Sequence, residues 1–600
     1  ECGGGTATIE GGTIKYNNIG NTSYNTAAIR ITTNSATLIL GKEDGNVSIT
    51  NPEIIGSRYG ISNEGNGTFN FYDGIIKGKT AINGNLSAKE KGYEVITTEE
   101  NEIETAILGN LPVAKIGEKE YYTFQEAFDA CPSDGTETTV EVLRNCTTDM
   151  ANIIEENKNI VLDIQSYKIL SGIENLFTNN GKFKIVDSIG NGRIISAKGT
   201  ILKNEETGNF AINNITMQMT GSSAIDETIE NKGMLEVTGG VIISDGLKNK
   251  CINNIEQGTV KITGGTVSAY TYAIYNTSSN KVEIEGGTVQ ATYYYEGYSA
   301  IYNNTENGVV EIKGGLVTNQ GKAIENKKGT IKVTGGEIRT TQGDTRYSEC
   351  GIYNNGKVII EDGKVAALYR GSGIQNEGGT IEITGGTVSA PEWYNSIINR
   401  GTLEISGGTI KSSEKGIYNN STLKMTGGTV EVQEPNYAAL ECGGGTATIE
   451  GGTIKYNNAG NTNYNTAAIK ITTNTATLTL GKEDGNVSTT NPEIIGSTYG
   501  ISNEGNGQFN FYDGIVKGIL AAISGNITRV EDKYTLVGGT EDNYQTTTLG
   551  FLATDTMTAC VNGTYYSTLQ EAINSCIDNK ETYIILVNGA TVSENITISS

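Results

Sequence analysis

The side chains able to do acid–base chemistry here are almost all carboxylates: 68 Asp and Glu stand against 44 Lys and Arg, and none of the 600 residues is His. The lack of His removes the usual general base, every His-dependent triad and the commonest zinc ligand. Catalysis would have to come from carboxylates gathered around calcium beside an Arg base, or acting as a general acid and base pair. Glu283, Glu311, Glu382 and Glu404 stand singly at outward positions of alternating segments, each in a separate coil, and read as a solvated stripe. The densest local clusters, Glu361-Asp362 and Glu43-Asp44-Gly45-Asn46, have the composition of turns. There is no Asp-Asp pair, no Gly-Gly-x-Gly-x-Asp nonapeptide and no Asp-x-Asp-x-Asp run. The expectation is therefore no catalytic residue, no metal site and no cofactor.

Two other residue types carry information. The chain has 31 Tyr against a single Trp, Trp393. Tyr270, Tyr272, Tyr293, Tyr294, Tyr295 and Tyr298 lie on loops one coil apart and are expected to form an aromatic patch. Such a patch packs on itself along a flank, meets another subunit or receives a glycan. The eight cysteines include no CxxC pair and are too few to frame a small disulfide fold. Cys131 ends a short helical pattern and Cys146 follows one strand later, so a bridge would pin that helix to the first coil. In the second copy of this segment Gly589 replaces Cys146 while Cys560 is new, which makes Cys560 with Cys576 the equivalent pairing. Buried free thiols are the alternative. Cys2 and its duplicate Cys442 would suit cross-links between neighbours.

The elements that must position these residues are repeats at two scales. The short one reads Ile-x-Asn, a few residues, an alternating strand ending in Gly-Gly, then a second short strand. It starts at Ile274, Ile301, Ile324, Ile352, Ile374, Ile397 and Ile417, with spacings of 27, 23, 28, 22, 23 and 20 residues. A drifting period means that loops absorb insertions while strands keep register, which suits a β-solenoid better than helical repeats. In Thr380-Ile381-Glu382-Ile383-Thr384 the period-two alternation turns Ile381 and Ile383 inward, to stack on equivalents about 4.8 Å away. With 79 Gly and 6 Pro, the chain is rich in corner residues, and the Gly pair suits a bend where φ is positive and no side chain fits. Asn254, Asn276, Asn303, Asn326, Asn354, Asn376, Asn399 and Asn419 hold the third position of Ile-x-Asn and are expected to hydrogen-bond in a bend from coil to coil as a ladder.

The long repeat is a near duplication: residues 1–78 match 441–518 with nine differences. The similarity extends to Tyr121–Cys131 and Tyr566–Cys576, where apolar residues three or four apart behind Thr123 or Thr568 predict a short amphipathic helix with a threonine N-cap. Extended segments at 139–143 and 159–164 follow the first of these helices. The chain then parses into residues 1–82 as the C-terminal coils of one module, 83–115 as a connector and 116–528 as a complete module with its capping helix near 123–131. A second connector spans 529–559, and 560–600 begins the next module. Residue 1 falls inside a repeat, so the chain reads as a piece of something longer.

The Gly-Gly-Thr-Val/Ile strands, the Ile-Tyr-Asn-Asn bends and the Thr-Phe-Gln-Glu-Ala-Phe helix resemble the pectin-lyase-like right-handed parallel β-helix repeats of very large secreted surface proteins of Gram-positive anaerobic bacteria. The resemblance implies an all-β, right-handed parallel β-helix, a β-solenoid with short amphipathic helices capping the start of each module. It implies an extracellular or cell-surface location. Because this architecture serves lyases, adhesins and stalks alike, it says little about activity. A formal charge of −24 with scattered basic residues argues against nucleic acid, and no apolar window is long enough for membrane insertion. The expected function is that of a structural subunit of an extracellular fibre, stalk or filament made of modules of about 440 residues, and not an enzyme. Its partners would be other copies of itself or adjacent tandem modules. A glycan-binding adhesin that meets surface glycans is the alternative, and a polysaccharide lyase or hydrolase a second.

Overall fold

The computed structural model describes residues 1–600 apart from 17–25, 91–92, 222–226, 248, 294–296, 342–348, 392, 434–436, 458–465, 552–557, 562–563, 577–583 and 587–600. The chain folds as two compact units, Glu1–Lys203 and Asn204–Ser600. Both are β-structure, and the chain makes about 18 turns of parallel β-solenoid with only 2% helix.

In the second unit a coil consists of three short strands. Ser372–Asn376, Thr380–Ile383 and Thr387–Ala390 form one coil; Asn395–Asn399, Thr402–Ile405 and Thr409–Ser412 form the next. The Ile-x-Asn segment, expected as a bend, is itself the first strand, with its Asn as the final residue. Inward positions stack like on like: Ile374 on Ile397 on Ile417, Ile381 on Leu403 on Leu423, and Val388 on Ile410 on Val430. All nine are at most 1% exposed. Each contributes about 1.5–3 kcal/mol of apolar burial, and the lumen holds only what the two adjacent coils bring.

The corner between the second and third strands is set by glycine. Gly408, the second of its pair, has φ 74°, and a Cβ there would lie 2.5 Å from the Gly385 carbonyl oxygen of the coil before. Only a residue without Cβ permits coils to stack this closely at a corner.

The first unit opens with the coils of the duplicated segment. Gly5–Ile9 pairs in parallel with Ala36–Leu40, and that strand with Thr68–Phe71. The near-identical segment inside the second unit does the same, Thr446–Ile449 on Thr477–Leu480 on Gln508–Phe511. The stretches read as connectors hold hairpins. Glu94–Glu100 pairs antiparallel with Ile103–Gly109, which adds antiparallel to Ile75–Gly78. Tyr534–Glu541 and Tyr544–Phe551 repeat this arrangement on Ile515–Gly518.

Helix α1 (Phe124–Ala130) forms where its periodicity predicts. Thr123 Oγ1 accepts from the Glu126 amide at 3.1 Å, and Glu126 accepts from the Thr123 amide at 3.2 Å, closing a capping box. Its buried face is Phe124, Ala127 and Phe128, and the Phe128 ring lies 6.2 Å from Phe177 and 5.8 Å from Phe183, two lumen residues of the following coils. At the other end Lys158 Nζ donates to the Asp129 and Cys131 carbonyls at 2.9 and 2.8 Å, answering the negative end of the helix. Helix α2 (Leu569–Asn574) repeats the capping box with Thr568 and Glu571.

Candidate functional site

The expected ladder is present and longer than its sequence signature. Each Asn Nδ2 donates to the Oδ1 of the Asn one coil later, in the order Asn204, Asn231, Asn254, Asn276, Asn303, Asn326, Asn354, Asn376, Asn399 and Asn419. These bonds measure 2.7–2.9 Å. All ten side chains are at most 1% exposed. Asn231 and Asn204 extend the predicted set; Asn231 carries the Ile-x-Asn signature, and Asn204 follows a Leu instead. The amide also serves the backbone, as where Asn354 donates to the Gly356 carbonyl at 3.1 Å and the Thr380 carbonyl of the next coil at 3.4 Å. The series stops where Cys442 takes the register position after Asn419; there the Asn419 amide turns to the Ser421 and Thr446 carbonyls, at 3.1 and 3.2 Å.

The carboxylates read as standing singly in separate coils are brought side by side. Register places Glu311 directly on Glu283, and Glu404 on Glu382. Two like charges one strand apart repel unless cations intervene. Lysines on the same face supply them: Lys281 contacts both Glu283, at 3.0 Å, and Glu311, while Lys313 contacts Glu283 and lies 3.5 Å from Glu285. The Lys313 bond, helped by Lys281, outweighs partial burial and holds the Glu283 carboxyl below its usual range. Lys357 pairs with Glu382 at 2.7 Å. Separate coils in sequence are neighbours in space, which strand-by-strand reading does not reveal.

Of the two local acidic clusters, only Glu43-Asp44-Gly45-Asn46 lies in a loop. Asp44 Oδ1 accepts from the Asn46 amide at 3.0 Å. Two residues far along the chain, Asp73 and Glu90, also fasten this loop, accepting from the Ser48 amide at 2.6 Å and the Gly45 amide at 3.1 Å. The copy repeats both bonds with Asp513 and Glu531. There burial, together with the charges of Glu483, Asp484 and Asp513, raises the Glu531 carboxyl above its ordinary range. Glu361-Asp362, read as a turn, instead lies inside the strand Lys357–Ala367, at a register shift where Asp362 pairs with Thr334 and Gly363 takes a positive φ of 83°; Glu361 pairs with Lys332 at 2.9 Å. Among the described residues no three Cys, Asp or Glu side chains are placed to hold a metal ion.

The tyrosine patch forms and includes residues not foreseen. Tyr270 meets Tyr293 at 4.6 Å, Tyr293 meets Tyr298 at 5.5 Å, and Tyr298 meets Tyr272 at 5.3 Å. Tyr294 and Tyr295 lie outside the described residues. Tyr275 and Tyr302, the middle residues of two Ile-x-Asn strands, join by stacking 4.8 Å apart. Register then continues this column through Glu325 to Tyr353. Glu325, 2% exposed between two rings, accepts from Lys322 at 3.3 Å and pairs with Lys327 at 2.9 Å, and Lys322 Nζ sits 4.2 Å from the centre of the Tyr353 ring. The middle position of Ile-x-Asn was the available signal for these additions. The face is a self-packed row of rings held by cations.

All eight cysteines are free thiols, so Cys131, Cys146, Cys560 and Cys576 form no bridges in this structure. Cys131 Sγ instead donates to the Ala127 carbonyl at 3.3 Å, and Cys576 Sγ to the Ala572 carbonyl at 3.4 Å. Burial pushes the thiols of Cys146 and Cys442 up to about 12, which keeps them protonated and unreactive near neutral pH. Comparison with protein-family models, with curated proteins and with solved structures finds no match to this chain, so its functional reading rests on its own geometry.

Proposed function

We propose that this chain is a structural element of an extracellular or cell-surface fibre, stalk or filament, built of tandem right-handed β-helix modules of about 440 residues and without an enzymatic role. One observation carries the reading: the same set of coils, register for register and followed by the same antiparallel hairpin, occurs twice in one chain. Selection for a single active site does not call for a duplicated scaffold, whereas selection for reach does. The ladder supports the reading, because its bonds run only from one coil to the next and repeat for as long as coils are added. In this reading α1 and α2 each begin a module and shield its lumen from water, and the repeats resemble the pectin-lyase-like repeats of large bacterial surface proteins.

Negative-stain electron microscopy of native material, followed by mass measurement under denaturing conditions, tests the proposal. Filaments whose denatured chains far exceed 63.7 kDa are expected. Filaments that fall apart into discrete 63.7 kDa chains would rule out covalent tandem modules, and cleavage of a glycan lost on one Asp or Glu substitution would rule out the structural reading.

A further inference from the structure

The only tryptophan is not in the core: Trp393 is 62% exposed. Its backbone has φ 70°, a region that bulky residues enter only when their surroundings hold them there. It lies in the loop between Thr387–Ala390 and Asn395–Asn399. The corresponding loop one coil earlier presents Leu368 and Tyr369, 46% and 65% exposed, followed by Arg370. With Pro391 and Tyr394 these residues line an open cleft of about 550 Å³, inside the roughly 300–1,000 Å³ span of small-ligand sites.

Two polar groups in the cleft have no hydrogen-bond partner among the described residues. Among the described residues Arg370 makes no ion pair and no hydrogen bond; its guanidinium lies 5.6 Å from the centre of the Tyr369 ring. Among the described residues the Trp393 indole N–H also has no acceptor, and its ring meets Tyr437 at 6.4 Å. Lys281, Lys313, Lys322 and Lys357 are engaged by glutamates, whereas the Arg370 guanidinium lies over an exposed tyrosine ring in a cleft that Trp393 also lines.

We propose that this cleft binds an oligosaccharide carrying a carboxylate. A pyranose offers a flat face of C–H bonds that packs on the Trp393 and Tyr369 rings, and its carboxylate meets the planar fork of Arg370. A neutral sugar would leave Arg370 unanswered, and an acyl chain would need an enclosed pocket. The inference stands whether or not the chain builds filaments.

Because Trp393 is the only tryptophan, fluorescence of the full chain excited at the red edge of tryptophan absorption, where the 31 tyrosines absorb little, reports this cleft. The probes are 3′-sialyllactose, a glucuronate-containing disaccharide and lactose. A saturable emission change is expected with at least one acidic probe, with lactose roughly tenfold weaker or more. Response to both acidic probes supports recognition of the carboxylate itself; response to one names its source. Arg370→Gln should remove the preference for acid, and Tyr369→Ala, at a side chain 65% exposed, should weaken every probe by calorimetry. The proposal fails if neither acidic probe acts in the millimolar range, if lactose acts equally, or if emission shifts with protein concentration alone, which would assign the cleft to a second copy of the chain.

Discussion

In the ladder, Asn354 gives its amide hydrogens to the next coil and to its own turn while its oxygen receives from the coil before. All nine bonds run in one chain direction, so the side-chain dipoles add along the series. Asn354→Leu removes a buried donor and acceptor at once, leaving Asn376 Oδ1 and the Thr380 carbonyl short of a donor. A loss of about 1–3 kcal/mol is expected. Hydrogen exchange would show it as faster exchange in the coils carrying Asn326 and Asn376, with remote coils unchanged; an unaltered pattern would mean that the ladder is ornamental. At this scale the ladder was legible because one polar residue recurred at one place in an apolar motif. Glu325 was not, since its burial comes from Tyr302 and Tyr353, which are its neighbours only after stacking.

Corners and strands divide the work of keeping register. Alternation in Thr380–Ile383 was sufficient to orient that strand, because one face is lumen and the other solvent. The Ile-x-Asn strand escaped because it is five residues long, with almost every position buried, so no alternation marks it. The hairpin at Tyr534–Phe551 escaped for the opposite reason, as most of its first strand is exposed. Glycine shows how far corner geometry was readable. Gly408→Ala imposes a positive φ on a residue with a Cβ, at about 1–2 kcal/mol, and adds a collision with the Gly385 carbonyl. Gly172 has open space around its missing Cβ and no positive φ, so Gly172→Ala should stay within about 0.5 kcal/mol of wild type. Thermal unfolding of the two variants compares them directly, and equal midpoints would contradict this account of the corner.

At the level of the whole molecule, stability in such a stack is a sum of coil terms and nearest-neighbour terms. Insertions that lengthen a loop leave those terms nearly untouched, which explains how coils 20 to 28 residues apart coexist in one series. The near-identical segments at 1–78 and 441–518 carry this to a larger scale, since the same internal pairings arise in both units. The duplication was plain in sequence because so little had diverged, whereas the Trp393 cleft was not, as it depends on two loops from successive coils.

The three-strand coil also determines how the second unit answers a mechanical load. Between Asn204 and Asn419 neighbouring coils are joined by three parallel pairings and one asparagine bond, but the covalent chain passes between them through a single loop. Tension on the two ends therefore peels coils one at a time instead of shearing all pairings together. With coils of 20 to 28 residues, each release should lengthen an optically trapped tether by roughly 65–90 Å. A trace of many short steps is expected, with force nearly constant from coil to coil; one cooperative rip would refute it. A thread of this kind yields slack under a sudden pull and keeps its remaining coils intact, as a row of breakable stitches protects a seam.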